Sequence, residues 1–191
     1  MDWKKELKRA WNFLWHDDSL LSWLLNIIIA FVLVKFILYP ALGAMLGTSL
    51  PVVAVVSGSM EHNGFTFNEW WDINKDNYRR NFNISKEDFG NYSFVNGFNK
   101  GDLMILVGAD EIDKGDIIIF SGSASEPIIH RVVVYEERFN GLYIQTKGDN
   151  NFGSLVSESG ISLGAVLAKA KYRIPYLGWV KIGFLKVIGK A

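Results

Sequence analysis

Residues 51–60 read PVVAVVSGSM, an apolar run from Pro51 to Val56 that breaks into a glycine turn carrying Ser57 and Ser59. The run is short, rich in β-branched side chains and bounded by Pro51 and Gly58, so it reads as a strand. Runs of the same kind recur downstream at 102–107, 117–120, 128–135, 142–146 and 166–172, most of them entered through Gly, Pro or Lys-Gly-Asp punctuation. No long 3.6-residue period separates them. The predicted fold class is therefore mainly β, a coiled antiparallel sheet or partly open barrel.

Upstream the character changes. Residues 20–46, LLSWLLNIIIAFVLVKFILYPALGAML, hold a single charge, Lys35, in 27 positions. About 20 apolar residues suffice to cross a bilayer, so this stretch is predicted to be one N-terminal transmembrane helix rather than a cleaved leader, whose apolar part runs to about 15 at most. Lys4, Lys5, Lys8 and Arg9 precede it. The positive-inside bias then keeps the N-terminus cytoplasmic and sends the larger part outward. The expected organisation is a cytoplasmic amphipathic segment at 1–18, an anchor at 19–46 and an extracytoplasmic β domain at 47–191. Within that domain, 61–99 stands apart: nine asparagines and ten aromatics in 39 residues show no clear period. It is expected to be a packed insertion covering one edge of the sheet. The tail at 175–190 is apolar but broken by Lys181 and Lys186, which suits an interfacial or sheet-packed segment.

Composition narrows the function classes. Twenty basic residues balance twenty acidic ones, which argues against a nucleic-acid binder held by a basic field. There is no cysteine, and histidines occur only at 16, 62 and 130, so neither a thiolate nor a three-histidine metal site is expected, and no cofactor.

Three kinds of residue could carry chemistry. A serine on a turn at a strand end is exposed, with backbone N–H groups near enough to bind an oxyanion; Ser59 and Ser57 stand on such a turn. A serine needs a base that works near neutral pH. His130, in the apolar run Ile128–Val133, is the main candidate, with His62 in the loop after Ser59 a weaker one. Asp149, in Lys147-Gly148-Asp149-Asn150-Asn151, is a candidate to orient the imidazole; Lys147 is the alternative base of a Ser–Lys peptidase.

The stretch 46–60, LGTSLPVVAVVSGSM, resembles the catalytic box of archaeal and endoplasmic-reticulum members of the signal peptidase I family. The order continues as in that family through Lys100-Gly101-Asp102, Lys114-Gly115-Asp116, Ile129-His130-Arg131-Val132, Lys147-Gly148-Asp149-Asn150 and Arg173-Ile174-Pro175. The resemblance implies a serine endopeptidase that removes signal peptides from exported preproteins. In that reading Ser59 is the nucleophile, His130 the base, and the Ser57 hydroxyl joins the Ser59 N–H in the oxyanion hole. The implied partners are signal peptides, the lipid bilayer and the protein-export channel. The implied location is the plasma membrane, or the endoplasmic-reticulum membrane in a eukaryote. Two positions depart from the pattern. His62 stands where the family usually has proline. Leu155 stands where it usually has a further acid, and the next acid is Glu158. The third catalytic residue is thus open between Asp149, Glu158 and no side chain at all. A non-catalytic, membrane-tethered β domain that binds exported chains is the rival reading.

Overall fold

The computed structural model describes residues 2–122, 127–139, 141–187 and 189. It divides into two compact units, 1–45 and 46–191.

In the first unit, α1 spans Trp3–His16 and α2 spans Leu20–Leu33. Trp3, Leu7, Trp11 and Trp15 recur at a spacing of four along α1 and are all exposed, which makes one side of the helix a continuous apolar stripe. Ser19 caps α2 by accepting from the Ser22 N–H. Asn26, the amide in the apolar run, donates to the Leu14 carbonyl at 2.8 Å and so does not go unpaired. Helix continues to Leu46, giving one helix of 27 residues from Leu20 that is long and apolar enough to cross a membrane. At 1.5 Å per residue it is about 40 Å long, against a hydrocarbon core of about 30 Å. Its middle, Val34–Leu38, widens into a π turn in which the Tyr39 N–H reaches back to the Val34 carbonyl. Pro40 follows immediately and has no N–H to return to the preceding turn, a common cause of such irregularity.

The second unit is built on a six-stranded sheet. Its strands are β1 (Val52–Ala54), β2 (Leu103–Val107), β3 (Ile117–Phe120), β4 (Ile128–Arg138), β5 (Gly141–Lys147) and β6 (Val166–Ile174). The order is β1-β2-β6-β3-β4-β5 and each neighbouring pair is antiparallel. β1 and β5 are its two edges, so the sheet is open, as the predicted class allows. Why Ile117-Ile118-Ile119-Phe120 fails to alternate with polar residues is plain from the packing. Ile117 and Ile119 point into a core with Met60, Phe98 and Met104, while Ile118 and Phe120 point into another with Val132, Ile144 and Ile161. Both faces of β3 are buried, so both must be apolar.

The segment 61–99 is more regular than its sequence suggests. It contains a regular helix, α4 (Phe67–Phe82), followed by a short one, α5 (Lys86–Gly90). Both begin with reciprocal capping boxes, Thr66 with Glu69 and Ser85 with Asp88. Trp70, Tyr78 and Phe82 lie on one side of α4 and pack with Trp71, Phe89 and Val133 of β4. The insertion therefore lies over β4 and reaches the edge strand β5, where the Lys147 ammonium donates to the Tyr78 hydroxyl at 3.3 Å. In the tail, α6 (Trp179–Val187) buries Ile182 and exposes Val180, Phe184 and Val187.

Candidate active site

β1 delivers the chain to the Ser57–Met60 turn, and apolar burial on both sides of it sets the turn's position. Val55 before it and Met60 after it both enter the core. The Glu61 N–H closes the turn on the Gly58 carbonyl at 3.1 Å. The loop after β5 then clasps it: the Asn150 N–H donates to the Ser59 carbonyl at 2.8 Å, and the Asn150 side chain to the Gly58 carbonyl at 3.0 Å. This approach is so close that a Cβ on Gly148 would stand 2.7 Å from the Ser59 carbonyl oxygen. Only glycine fits there without moving the serine.

His130 comes from β4, an interior strand next to the edge. It sits opposite Ile118 in the β3–β4 ladder and is buried. Its Nε2 lies 2.8 Å from Ser59 Oγ, and the Ser57 hydroxyl is 3.1 Å from the same oxygen. The other ring nitrogen, Nδ1, is hydrogen-bonded to Glu158. Glu158 is itself fully buried and held twice more, accepting from the Leu155 N–H at 2.6 Å and the Thr146 hydroxyl at 3.3 Å. Because a carboxylate only accepts, Nδ1 carries the proton and Nε2 presents its lone pair to the serine. That tautomer is the one a base for Ser59 requires.

Asp149 is elsewhere. Its carboxylate takes a two-pronged bond from Arg131, Nε to Oδ1 at 2.9 Å and Nη2 to Oδ2 at 2.7 Å, with both side chains wholly out of solvent. Tyr78 donates to it at 3.1 Å and His62 Nε2 lies 3.2 Å away. The expectation that Asp149 orients His130 is thereby corrected: a buried guanidinium needs a counter-charge, and Asp149 is that charge. Burial alone would push the Asp149 carboxyl up, but the Arg131 charge and hydrogen bonds, with those of His62, hold it well below the usual carboxylate range.

Lys147 is also buried. Its ammonium bonds the Tyr78 hydroxyl and the Gly148 and Asp149 carbonyls, none of them part of the serine turn. Burial lowers it to about 8, against the opposing pull of Asp149 and Glu158. Its partners turn it away from the role of base that a Ser–Lys arrangement would need. Among the described residues no group of three or more His, Asp or Glu side chains gathers as a metal site would.

Sequence reasoning missed the Arg131–Asp149 pair altogether and ranked Glu158 behind Asp149. A signal for the first existed: Arg131 is a charge in the middle of the apolar run 128–135, and such a residue calls for a partner. Glu158 had no comparable signal, since its place depends on the loop returning beside β5 through the Gln145–Ser159 bridge.

No family model matches the chain. It is 35% identical over 98 residues to the signal peptidase complex catalytic subunit sec11 of Dictyostelium discoideum, covering 47% of this chain and 55% of that one. It is 27% identical over 157 residues to the catalytic subunit SEC11C of Homo sapiens, covering 76% of this chain and 62% of that one. A shorter stretch of 57 residues is 37% identical to signal peptidase I W of Bacillus subtilis, 28% of this chain and 30% of that one. The matches to the two catalytic subunits thus span between a half and two thirds of the relatives' own lengths. With the sheet, the serine turn and the histidine strand in this order, the chain is similar to signal peptidase catalytic subunits of the endoplasmic-reticulum type and, over a shorter stretch, to a bacterial signal peptidase I.

Proposed function

We propose that this protein is a membrane-anchored serine endopeptidase that removes signal peptides from exported preproteins, with Ser59 as nucleophile, His130 as general base and Glu158 orienting the imidazole. The observation that carries the reading is the 2.8 Å contact between Ser59 Oγ and His130 Nε2. In the first half of the reaction Ser59 Oγ attacks the scissile carbonyl carbon and its proton passes to His130 Nε2. The imidazolium so formed is stabilised by Glu158 through Nδ1–H, and the Ser57 hydroxyl donates to the oxyanion. Collapse breaks the C–N bond, and His130 returns the proton to the leaving amine. A water then attacks the acyl-enzyme with His130 again as base, releasing the signal peptide and restoring Ser59.

The anchor supports the choice of substrate. A signal peptide carries its own apolar segment in the bilayer, and Ser59 lies 13 residues past Leu46, within about 45 Å of it even at full extension. The basic residues before α2 favour a cytoplasmic N-terminus and an extracytoplasmic catalytic unit. The relatives named as subunits of a signal peptidase complex support a place beside the export channel, where preproteins emerge. The test is cleavage of a preprotein by the purified full chain in lipid vesicles. Cleavage after a small residue by the wild type, with none by Ser59→Ala, is the expected result. Equal cleavage by the two would remove Ser59 as the nucleophile, and cleavage by neither would leave the protein a tethered binding domain.

A further inference from the structure

We infer that the 61–99 insertion is a positioning element for the nucleophile and that His62 is the residue through which it acts. This rests on the reading of Ser59 as a nucleophile and assigns the insertion a task within the same site.

His62 is three residues past Ser59 and is buried. Its ring lies flat on the indole of Trp70 in α4, with centroids 3.9 Å apart and planes 2° from parallel. One edge of the ring presents Nε2 to Asp149 Oδ2. The Asp149 carboxylate can only accept, so Nε2 carries a proton. The slot is closed by Gly97, whose left-handed φ of +64° and lack of a side chain are both required. A Cβ there would come within 2.7 Å of the His62 ring and 2.2 Å of the Met60 carbonyl oxygen. His62 is thus gripped from three sides in a site shaped to it. Among the described residues its Nδ1 has no hydrogen-bond partner, so the only hydrogen bond on the ring there is the one to Asp149.

The consequence for Ser59 follows from how the chain closes on itself. His130 and Arg131 are adjacent on β4 and their side chains take different partners. His130 meets Ser59 directly. Arg131 grips Asp149, Asp149 bonds His62, and His62 leads back along Met60 to Ser59. Nucleophile and base are therefore tied together twice, once by the catalytic contact and once by a buried ring of bonds behind it. The insertion supplies the walls of that second tie: Trp70 under His62, the Tyr78 hydroxyl on Asp149, and the Ser93 and Phe94 carbonyls on Arg131. A misplacement of about 1 Å in a catalytic contact can cost roughly 10²-fold in rate, so a tie of this kind acts on turnover and not only on stability.

The experiment is steady-state cleavage of a preprotein by the full-length chain in vesicles, with the folded fraction of each variant measured by thermal unfolding. His62→Leu fills the slot but removes the donor to Asp149. It is expected to lower kcat per folded molecule by about 10- to 100-fold while leaving KM within about twofold, because the His62 ring is buried. His62→Gln restores an N–H that can reach Asp149 and should recover most of the loss. Should His62→Leu fail to fold, Tyr78→Phe removes one hydroxyl from the same carboxylate and should still lower kcat several-fold. A kcat per folded molecule unchanged in His62→Leu, or in Tyr78→Phe where that variant is used, overturns the inference. So does a His62→Gln no more active than His62→Leu. A wild-type chain that cleaves no preprotein overturns the proposed function itself, and the inference with it.

Discussion

The two sides of β4 do opposite things with charge. On one side His130 meets a half-buried serine and a buried glutamate, an arrangement through which a proton can move. On the other side Arg131 and Asp149 are sealed from solvent by aromatic side chains of the insertion, and their charges stay where they are. Adjacent residues of one strand thus take separate sets of partners, because successive side chains of a strand point to opposite faces. The difference also explains why the chain carries two acids near the site. In the proposed mechanism Glu158 answers a charge that appears on His130 during reaction; Asp149 answers a charge that is permanent.

The largest expected effect comes from taking the permanent charge's partner away. Asp149→Ala leaves the Arg131 guanidinium buried without a counter-ion and is expected to cost about 3–5 kcal/mol of stability. Urea unfolding of the domain would register this as a lower midpoint at unchanged slope. A midpoint equal to wild type would mean that the pair is not the internal support described here.

Asp149 is also where sequence reading reached its limit, and the reason is physical. The strands were legible because β-branched runs between glycine punctuation have few other places to go; Ile117–Phe120 was delimited to the residue. The serine turn and the histidine strand were legible too, since their residue types are few in this chain. The acid was not. Its assignment depends on the register of β5 against β4, which sets Lys147 opposite Arg131 and carries Asp149 to the guanidinium. It depends as well on a loop whose return past β5 leaves no local pattern. Helix α4 was missed for another reason: asparagines conceal its period. Trp70, Asn74, Tyr78 and Phe82 recur every four residues, and Thr66 with Glu69 spells a capping box. Those two signals together were sufficient to place it.

Lys147, buried beside the same acids, makes stability depend on pH. Its folded value of about 8 lies below the 10.5 of an open lysine, so the folded state binds fewer protons between those values than the unfolded one. Stability from this group therefore rises as pH climbs from about 8 towards 10.5 and is flat below, where both states are protonated. Unfolding free energies across that window should show the rise in the wild type and lose it in Lys147→Met. An identical slope in both would assign the effect to another group.

The smallest effect belongs to the edge of the insertion. Thr66→Ala removes the cap of α4 and is expected to cost about 1 kcal/mol, a fall of a few degrees in Tm, with kcat unchanged. A cost well above this would mean that the helix start bears on the buried cluster directly.

The division of labour between the two acids is the centre of this account, and turnover of one preprotein by Glu158→Gln and Asp149→Asn tests it. Both substitutions keep shape and remove charge. Glu158→Gln should lower kcat by about 10³- to 10⁴-fold, the scale seen when a triad acid is neutralised. Asp149→Asn should lose far less per folded molecule. The reverse order, with Asp149→Asn nearly inactive and Glu158→Gln close to wild type, would contradict it.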